Sequence, residues 1–327
     1  MIRGALVTQL IYVAARLGIA DLLHEGPKTP EELATAAGAD APALYRVLRA
    51  LASLGLFAEA VDGRFEMTPL AEPLRRDVEY SLRGSALLYG ESWWWRAVGT
   101  LLHSVRTGET AFDHVHGVSL FEYLGRDPEG AALFNQHQAN MTRQDAGAIV
   151  AAHEFAGIGT LVDVGGGHGA LLAAVLKAHP AMRGMLFDVP SVVEGARILL
   201  ADEGVGERSE VVAGDFFKAV PSGGDAYILK DIIHDWDDVR AITILKNCRR
   251  ALGSNQSGKV LVVEKVIRSG NEPFAGKLTD ITMLLVTRGC ERTDVAYREL
   301  LATAGLRVTR IVPTQSPASL IEAVAAS

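Results

Sequence analysis

VDVGGGHGALL, residues 162 to 172, decides the fold. An apolar strand end runs into four glycines and then into the start of a helix. Gly165 and Gly167 let the backbone turn sharply and approach a ligand closely, because no side chain intervenes. Gly165, Gly167 and Ala170 formally satisfy the pattern GxGxxA, and Asp188 closes the next apolar run, 23 residues beyond Gly165, where a carboxylate can accept from two ribose hydroxyls. Such a turn belongs to an open α/β sheet that holds a nucleotide-like ligand at the carboxyl ends of its strands.

The sequence downstream keeps that rhythm. TLVDV, GMLFDV, SEVVAGD, DAYILK and KVLVVEKVI read as strands, separated by the helical stretches GALLAAVLKAH, VVEGARILLAD and VRAITILKNCRRAL. The alternation predicts a parallel sheet covered by helices on both faces. LRVTRIV and SLIEAVA follow one another with no helix between them, which predicts an antiparallel pair at the sheet edge.

On the glycine turn alone, a nicotinamide dinucleotide and S-adenosylmethionine are equally acceptable. Asp163 shifts the balance. It stands two residues before the first glycine, where it suits an ammonium group and would repel a pyrophosphate. AGDFF then brings Asp215 to a third strand end, able to meet an adenine amino group, with Phe216 positioned to stack on the ring. The loop therefore suits an amino acid rather than phosphates, and S-adenosylmethionine is the expected cofactor.

LKDIIHDWDD, residues 229 to 238, follows the next strand. It combines a strand end, a base and a helix start. His234 falls near the reactive end of the cofactor, Asp237 or Asp238 can cap the following helix, and Ile232 and Ile233 can face the core.

Towards the N-terminus, Thr29 can cap a helix beginning Pro30, Glu31, Glu32, and Ala41 to Leu54 puts Leu44, Val47, Leu48 and Leu51 on one face. Gly55 ends that helix, and LFAEA, VDGR and FEMT read as a hairpin bending at Asp62 and Gly63. The sum is a winged helix. Its would-be recognition helix offers only Arg46 and Arg49 as bases, so dimer packing is expected in preference to DNA binding. Leu6, Leu10, Val13 and Leu17 recur at helical spacing, which predicts an amphipathic first helix rather than a signal peptide. Residues 72 to 156 read as helical, with Trp93, Trp94 and Trp95 adjacent and so unable to share one helix face.

Composition sets the class. The chain has 327 residues, 49% apolar and 22% charged, enough for two domains of an ordinary soluble protein. A net charge of −7 without Lys or Arg clusters argues against a nucleic-acid or anionic-membrane partner. No apolar run reaches the roughly 18 residues of a membrane span. Cys248 and Cys290 form no CxxC pair, and His114 with His116 has no third ligand nearby, so no metal site is expected and a reducing cytoplasm fits.

VDVGGGHG, GDFF, LKDIIHDWDD, GKVLVVEKVI and GCERT, in this order, resemble the plant-type and bacterial small-molecule O-methyltransferases, a family that includes caffeate and polyketide-tailoring enzymes. The resemblance covers nearly the whole chain. It implies His234 as general base, Glu264 and Glu291 as its flanking carboxylates, and Lys230, Asp188, Asp215 and Phe216 as cofactor contacts. It also implies a homodimer. The expected layout is a winged-helix dimerisation domain over 1–85, a helical linker shaping the substrate pocket over 86–157, and a Rossmann-like, cofactor-binding catalytic domain over 158–327. Trp93, Trp94, Phe112, Met141, Met283 and Leu284 are candidates for the pocket of a small, planar aromatic acceptor. N-methylation of a heteroaromatic compound, a nicotinamide dehydrogenase and a DNA-binding regulator are the alternatives.

Overall fold

A computed structural model describes residues 2–255 and 257–326. The chain divides into two compact units, one comprising Met1–Gly99 and Asp127–Asn140, the other Thr100–Arg126 and Met141–Ser327.

In the first unit the expected local signals are realised. Thr29 caps the helix Pro30–Ala37 in a capping box, its hydroxyl accepting from Glu32 N–H while the Glu32 carboxylate accepts from Thr29 N–H at 2.7 Å. Asp40 caps Ala41–Ser53, which buries Leu44, Leu48 and Leu51 against Ile19, Leu33 and Phe65. Each fully buried leucine of this kind contributes roughly 1.5–3 kcal/mol, so truncating Leu48, which is completely buried, would open a cavity in this cluster. Arg46 and Arg49 lie on the exposed side. The short strands β1 (Phe57–Glu59) and β2 (Phe65–Met67) pair antiparallel, with Gly63 at φ 81° in the turn. The helix Gly4–Leu17 packs Tyr12 onto Gly90, where a Cβ would lie 2.2 Å from the ring. Trp93 and Trp94 are both buried despite being neighbours, since Tyr89 covers Trp94 edge-on at 5.3 Å; only Trp95 is left half-buried.

The second unit is built on a seven-stranded sheet: β3 (Thr160–Val164), β4 (Arg183–Asp188), β5 (Ser209–Ala213), β6 (Ala226–Lys230), β7 (Lys259–Glu264), β8 (Leu306–Pro313) and β9 (Ser319–Ala325). Their spatial order is β5-β4-β3-β6-β7-β9-β8. The first five are parallel, and β9 slots between β7 and β8, antiparallel to both. The central strands are rich in Val, Ile and Leu on both faces because both faces are covered. Val162, Leu229 and Val262 meet Ile244, Leu245 and Leu301 on one side; Leu161, Ile228 and Leu261 meet Leu172 and Leu176 on the other. Chain order runs outward one way from β3 to β5, then returns to β6 on the other side of β3. That reversal opens a crevice at the carboxyl ends of β3 and β6, which is where open α/β sheets bind ligands. The glycine turn and LKDIIHDWDD leave from those two strand ends. No helix among the described residues is long and apolar enough to cross a membrane.

Candidate active site

The two motifs touch. Gly165 adopts φ 71°, and a Cβ there would lie 2.4 Å from Ile232 Cδ1 and 3.6 Å from the Phe216 ring. Ile232 therefore seats against the glycine turn, whereas Ile233 alone of the pair is fully buried. Gly167 donates its N–H to Asp188 Oδ2 at 2.8 Å and Val189 donates to Oδ1 at 2.7 Å, which ties the carboxylate at the end of β4 to the turn. Asp215 accepts from Phe217 N–H at 2.9 Å, fixing the GDFF bend, and Asn247 holds the Phe216 carbonyl at 2.8 Å. His168 packs against Gly195.

Asp163 is buried, and its Oδ2 has no hydrogen-bond partner among the described residues. Burial, reinforced by the charge of Asp188, lifts its carboxyl to about 7. A dry acid with an unused oxygen beside a close-approach glycine turn is matched by an incoming ammonium group, which returns the acid to its ionised form. Lys230, also buried, lies 3.4 Å from Asp145 Oδ2 and is hydrogen-bonded to Asp231. Asp145 is a contact that sequence reasoning missed. It sits mid-helix in Pro128–Ala152, in no motif, so no local signal marked it.

At the end of β6 the chain enters a short 3-10 turn, Ile233–Asp235, whose leading N–H groups have no backbone partner. Glu264, at the end of β7, supplies one. Its Oε1 accepts from Ile232, Ile233 and His234 N–H at 3.1, 2.8 and 3.3 Å. The opposite side of the turn is closed by the segment around GCERT. Gly289 backs onto it, Arg292 donates to the Ile233 and Trp236 carbonyls at 3.1 and 2.8 Å, and Glu291 Oε1 lies 2.9 Å from His234 Nδ1.

His234, Glu264 and Glu291 are thus brought together, all three buried. Nδ1 faces both acids, with Glu264 Oε2 at 3.5 Å, while Nε2 lies 3.7 Å from Asp235 Oδ1. Burial alone would lower the imidazole. Glu264, Asp235 and Glu291 outweigh it and push His234 up to about 10. Burial lifts Glu264 to about 7 against the pull of His234, and Asp235 to about 6. Asp231, His234 and Glu264 could each offer one atom to a cation. However, Lys230 and Lys265 already engage both Asp231 oxygens and three N–H groups occupy Glu264 Oε1, so the set suits a proton better than a metal.

Around the turn, Trp236 stacks on Phe121 at 5.4 Å, and Phe112 packs against His116 at 4.4 Å. Phe112, Met141, Met283 and Leu284 lie in the second unit, Phe112 and Met283 buried and Met141 and Leu284 half-buried. Trp93 and Trp94 lie in the first. Trp236 and Phe121 were not among the pocket residues expected from sequence. The aromatic pairing that marks them is a tertiary contact.

Comparison with known proteins accords with this geometry. Residues 96–307 match the O-methyltransferase domain family and residues 1–77 the O-methyltransferase dimerisation domain. The chain is 48% identical to the phenazine O-methyltransferase PhzM of Lysobacter antibioticus, across 99% of this chain and 94% of that one. It is 33% identical to the phenazine-1-carboxylate N-methyltransferase of Pseudomonas aeruginosa, across 100% and 96%. Among solved structures, it superposes with a TM-score of 0.84 on an O-methyltransferase from neocarzinostatin biosynthesis in complex with S-adenosylmethionine and 2-hydroxy-5-methyl naphthoic acid, at 37% identity over 98% of this chain and 96% of that one.

Proposed function

The chain belongs to the O-methyltransferase family, and from that premise we propose that it methylates a phenolic hydroxyl of a fused-ring aromatic compound, using S-adenosylmethionine, with His234 as the base. One observation carries the assignment of the base. Nδ1 of His234 is engaged by Glu291 at 2.9 Å, which leaves Nε2 as the nitrogen able to accept a proton.

The residues at the strand ends divide the work. Asp163, Gly165 and Gly167 form the cradle for the amino-acid end of the cofactor, Lys230 complements its carboxylate, Asp188 the ribose, and Asp215 with Phe216 the adenine. When bound, S-adenosylmethionine supplies a methyl group activated by an adjacent sulfonium charge. The protein's task is then to hold the acceptor oxygen in line at about 3 Å from that carbon and to remove its proton. An ordinary imidazole, with a pKa near 6.5, is a weak base for a phenol near 10, and the transfer would cost about 5 kcal/mol. With His234 pushed up to about 10, the two proton affinities match. Glu264 and Glu291 stabilise the imidazolium that forms. Such base catalysis contributes roughly 10² to 10⁴-fold, the remainder coming largely from positioning.

The acceptor class is supported by two relatives that carry phenazine in their names and by the naphthoic acid in the neocarzinostatin enzyme's complex. Phe112, Met141, Met283 and Leu284, all in the second unit, are our candidates for its pocket. The N-methyltransferase among the relatives favours a second reading, a heteroaromatic nitrogen as acceptor. S-adenosylhomocysteine release measured against hydroxyphenazines, hydroxynaphthoates and amino analogues decides between them. Turnover of the hydroxylated compounds alone supports O-methylation, and turnover of the nitrogen acceptors alone overturns it.

We further read residues 1–85 as a dimerisation domain of winged-helix type, giving a cytoplasmic homodimer, with 86–157 shaping the pocket and 158–327 performing catalysis. Arg49 rests over the Tyr45 ring at 5.4 Å rather than projecting as a phosphate contact, which supports a small-molecule rather than a nucleic-acid partner.

A further inference from the structure

Behind the base runs a second, unassigned set of charges. Asp231 adopts φ 52°, a left-handed conformation uncommon outside glycine, and this turns its carboxylate between two lysines. One oxygen takes Lys230 and the other takes Lys265 Nζ at 3.0 Å. Lys265 in turn lies 4.0 Å from Glu291 Oε1, the atom that engages His234. Side chains of Asp231 and Lys265 are each only 14% exposed. The order Asp145, Lys230, Asp231, Lys265, Glu291, His234 therefore alternates in sign from the cofactor crevice to the base, through little solvent.

We propose that Asp231 and Lys265 are positioning residues that divide the Glu291 carboxylate between a lysine and His234, and so set how tightly the base holds its proton. The inference rests on the reading of His234 as base. The hydrogen bonds of the turn are supplied by other residues, Glu264 accepting from its N–H groups and Arg292 donating to its carbonyls. What the pair supplies is a cation held near Glu291 and an anion that restrains that cation. Without Lys265, Glu291 is free to act wholly on the imidazolium. Without Asp231, Lys265 is free to act wholly on Glu291.

Other charges also face the ring, Asp231 among them: one of its oxygens lies within 4.8 Å of a His234 nitrogen, so it supports the imidazolium directly as well as through Lys265. Asp235 from its own turn and Glu264 from β7 press in the same direction as Glu291. From the GCERT segment, Arg292 is committed to Asp238 and two carbonyls, and Cys290 is half-buried with its thiol raised by burial. From the helix Asp294–Thr303, the buried Tyr297 hydroxyl stays neutral, its pKa raised by burial and by Glu264 and Glu291. Asp231 raises and Lys265 lowers the proton affinity of both Glu264 and Asp235, so these two acids also respond when either residue is replaced.

The test is the titration of the His234 ring followed by NMR on histidine-labelled protein, alongside the pH dependence of kcat/KM. Lys265→Met should move the ring midpoint up by about one pH unit and Asp231→Asn should move it down by about one unit. Lys265→Arg, which keeps the charge, should hold it at the wild-type value. A structural role alone predicts no opposed shifts. If the ring midpoint stays in place in the Met variant, or moves the same way in both variants, the proposal is overturned whatever the rate does. If the ring moves in opposite directions but the rate profile does not follow, the charge set stands and the base reading is what fails. Should Asp231→Asn not fold, the comparison of Lys265→Met with Lys265→Arg decides alone.

Discussion

Gly289 and His234 meet backbone to backbone: a methyl group at Gly289 would lie 1.8 Å from the His234 carbonyl oxygen and 2.5 Å from the Asp235 carbonyl carbon. No side chain at 289 is compatible with that approach, and the obstruction is main chain, which cannot swing aside. Gly289→Ala must therefore lift the GCERT segment off the turn, carrying Glu291 away from Nδ1. Since misplacement by about 1 Å can cost 10²-fold, kcat should fall at least that far while cofactor affinity, set at the other strand ends, changes little. Steady-state kinetics with calorimetry checks this, and a variant with wild-type kcat would refute it.

The protonation of His234 gives a second expectation. A ring that holds its proton up to about 10 is mostly unavailable as a base at neutral pH. The rate should therefore rise with pH through the alkaline range. A positive charge in the cofactor crevice opposes the imidazolium, so the kinetic midpoint should lie between roughly 6.5 and 10. His234→Gln should lose this limb and roughly 10² to 10⁴-fold in rate. A pH–rate profile over 6 to 10 for both proteins is the measurement, and an unchanged limb in the variant would remove His234 from the base role.

Glu264 serves the turn and the ring at once, and two substitutions separate the tasks. Glu264→Gln keeps an oxygen for the three N–H groups but removes the charge from the ring, so stability should hold roughly while the pH–rate midpoint falls. Glu264→Leu leaves three buried donors without an acceptor, at about 1–3 kcal/mol each. Urea denaturation should show the Leu variant several kcal/mol below the Gln variant. Equal stabilities would mean the turn does not depend on this carboxylate.

Much of this arrangement is legible in the sequence because its parts lie at strand ends. The glycine turn, Asp188 and Asp215 are each found by asking where an apolar run stops, Lys230 and Glu264 enter with the family resemblance, and the reversal between β5 and β6 runs through these strand ends. What sequence does not carry is which neighbour a buried charge selects. Asp231 and Lys265 sit beside Lys230 and Glu264 in plain view, yet their pairing depends on strand register, where Lys230 lies opposite Val263, and on a left-handed backbone at a non-glycine residue. Trp93 and Trp94 show the same limit. Helical geometry turns adjacent side chains apart, and it takes Tyr89 to cover Trp94. Gly289 is read as part of a motif, but the reason it must be glycine is a contact 55 residues away in the chain.

Asp163 offers a test of the cofactor crevice that needs no acceptor. Its carboxyl is raised from the usual range to about 7, chiefly by burial. Between pH 4 and pH 7 the folded protein therefore holds a proton that the unfolded chain has released. Stability is favoured at the acid end of that window and declines as pH rises through it. Asp163→Asn removes the titration, so it should flatten this part of the stability curve and leave the variant more stable than wild type at pH 7.5 by a few kcal/mol. The same change deletes the carboxylate that complements an ammonium group, so affinity for S-adenosylmethionine should drop at least tenfold, and most of all at pH 8, where the wild-type acid is ionised. Urea unfolding at pH 5 and 7.5, with calorimetry at pH 6 and 8, reads both effects. A less stable variant at pH 7.5 that binds the cofactor normally would show that this acid is part of the packing rather than of the crevice.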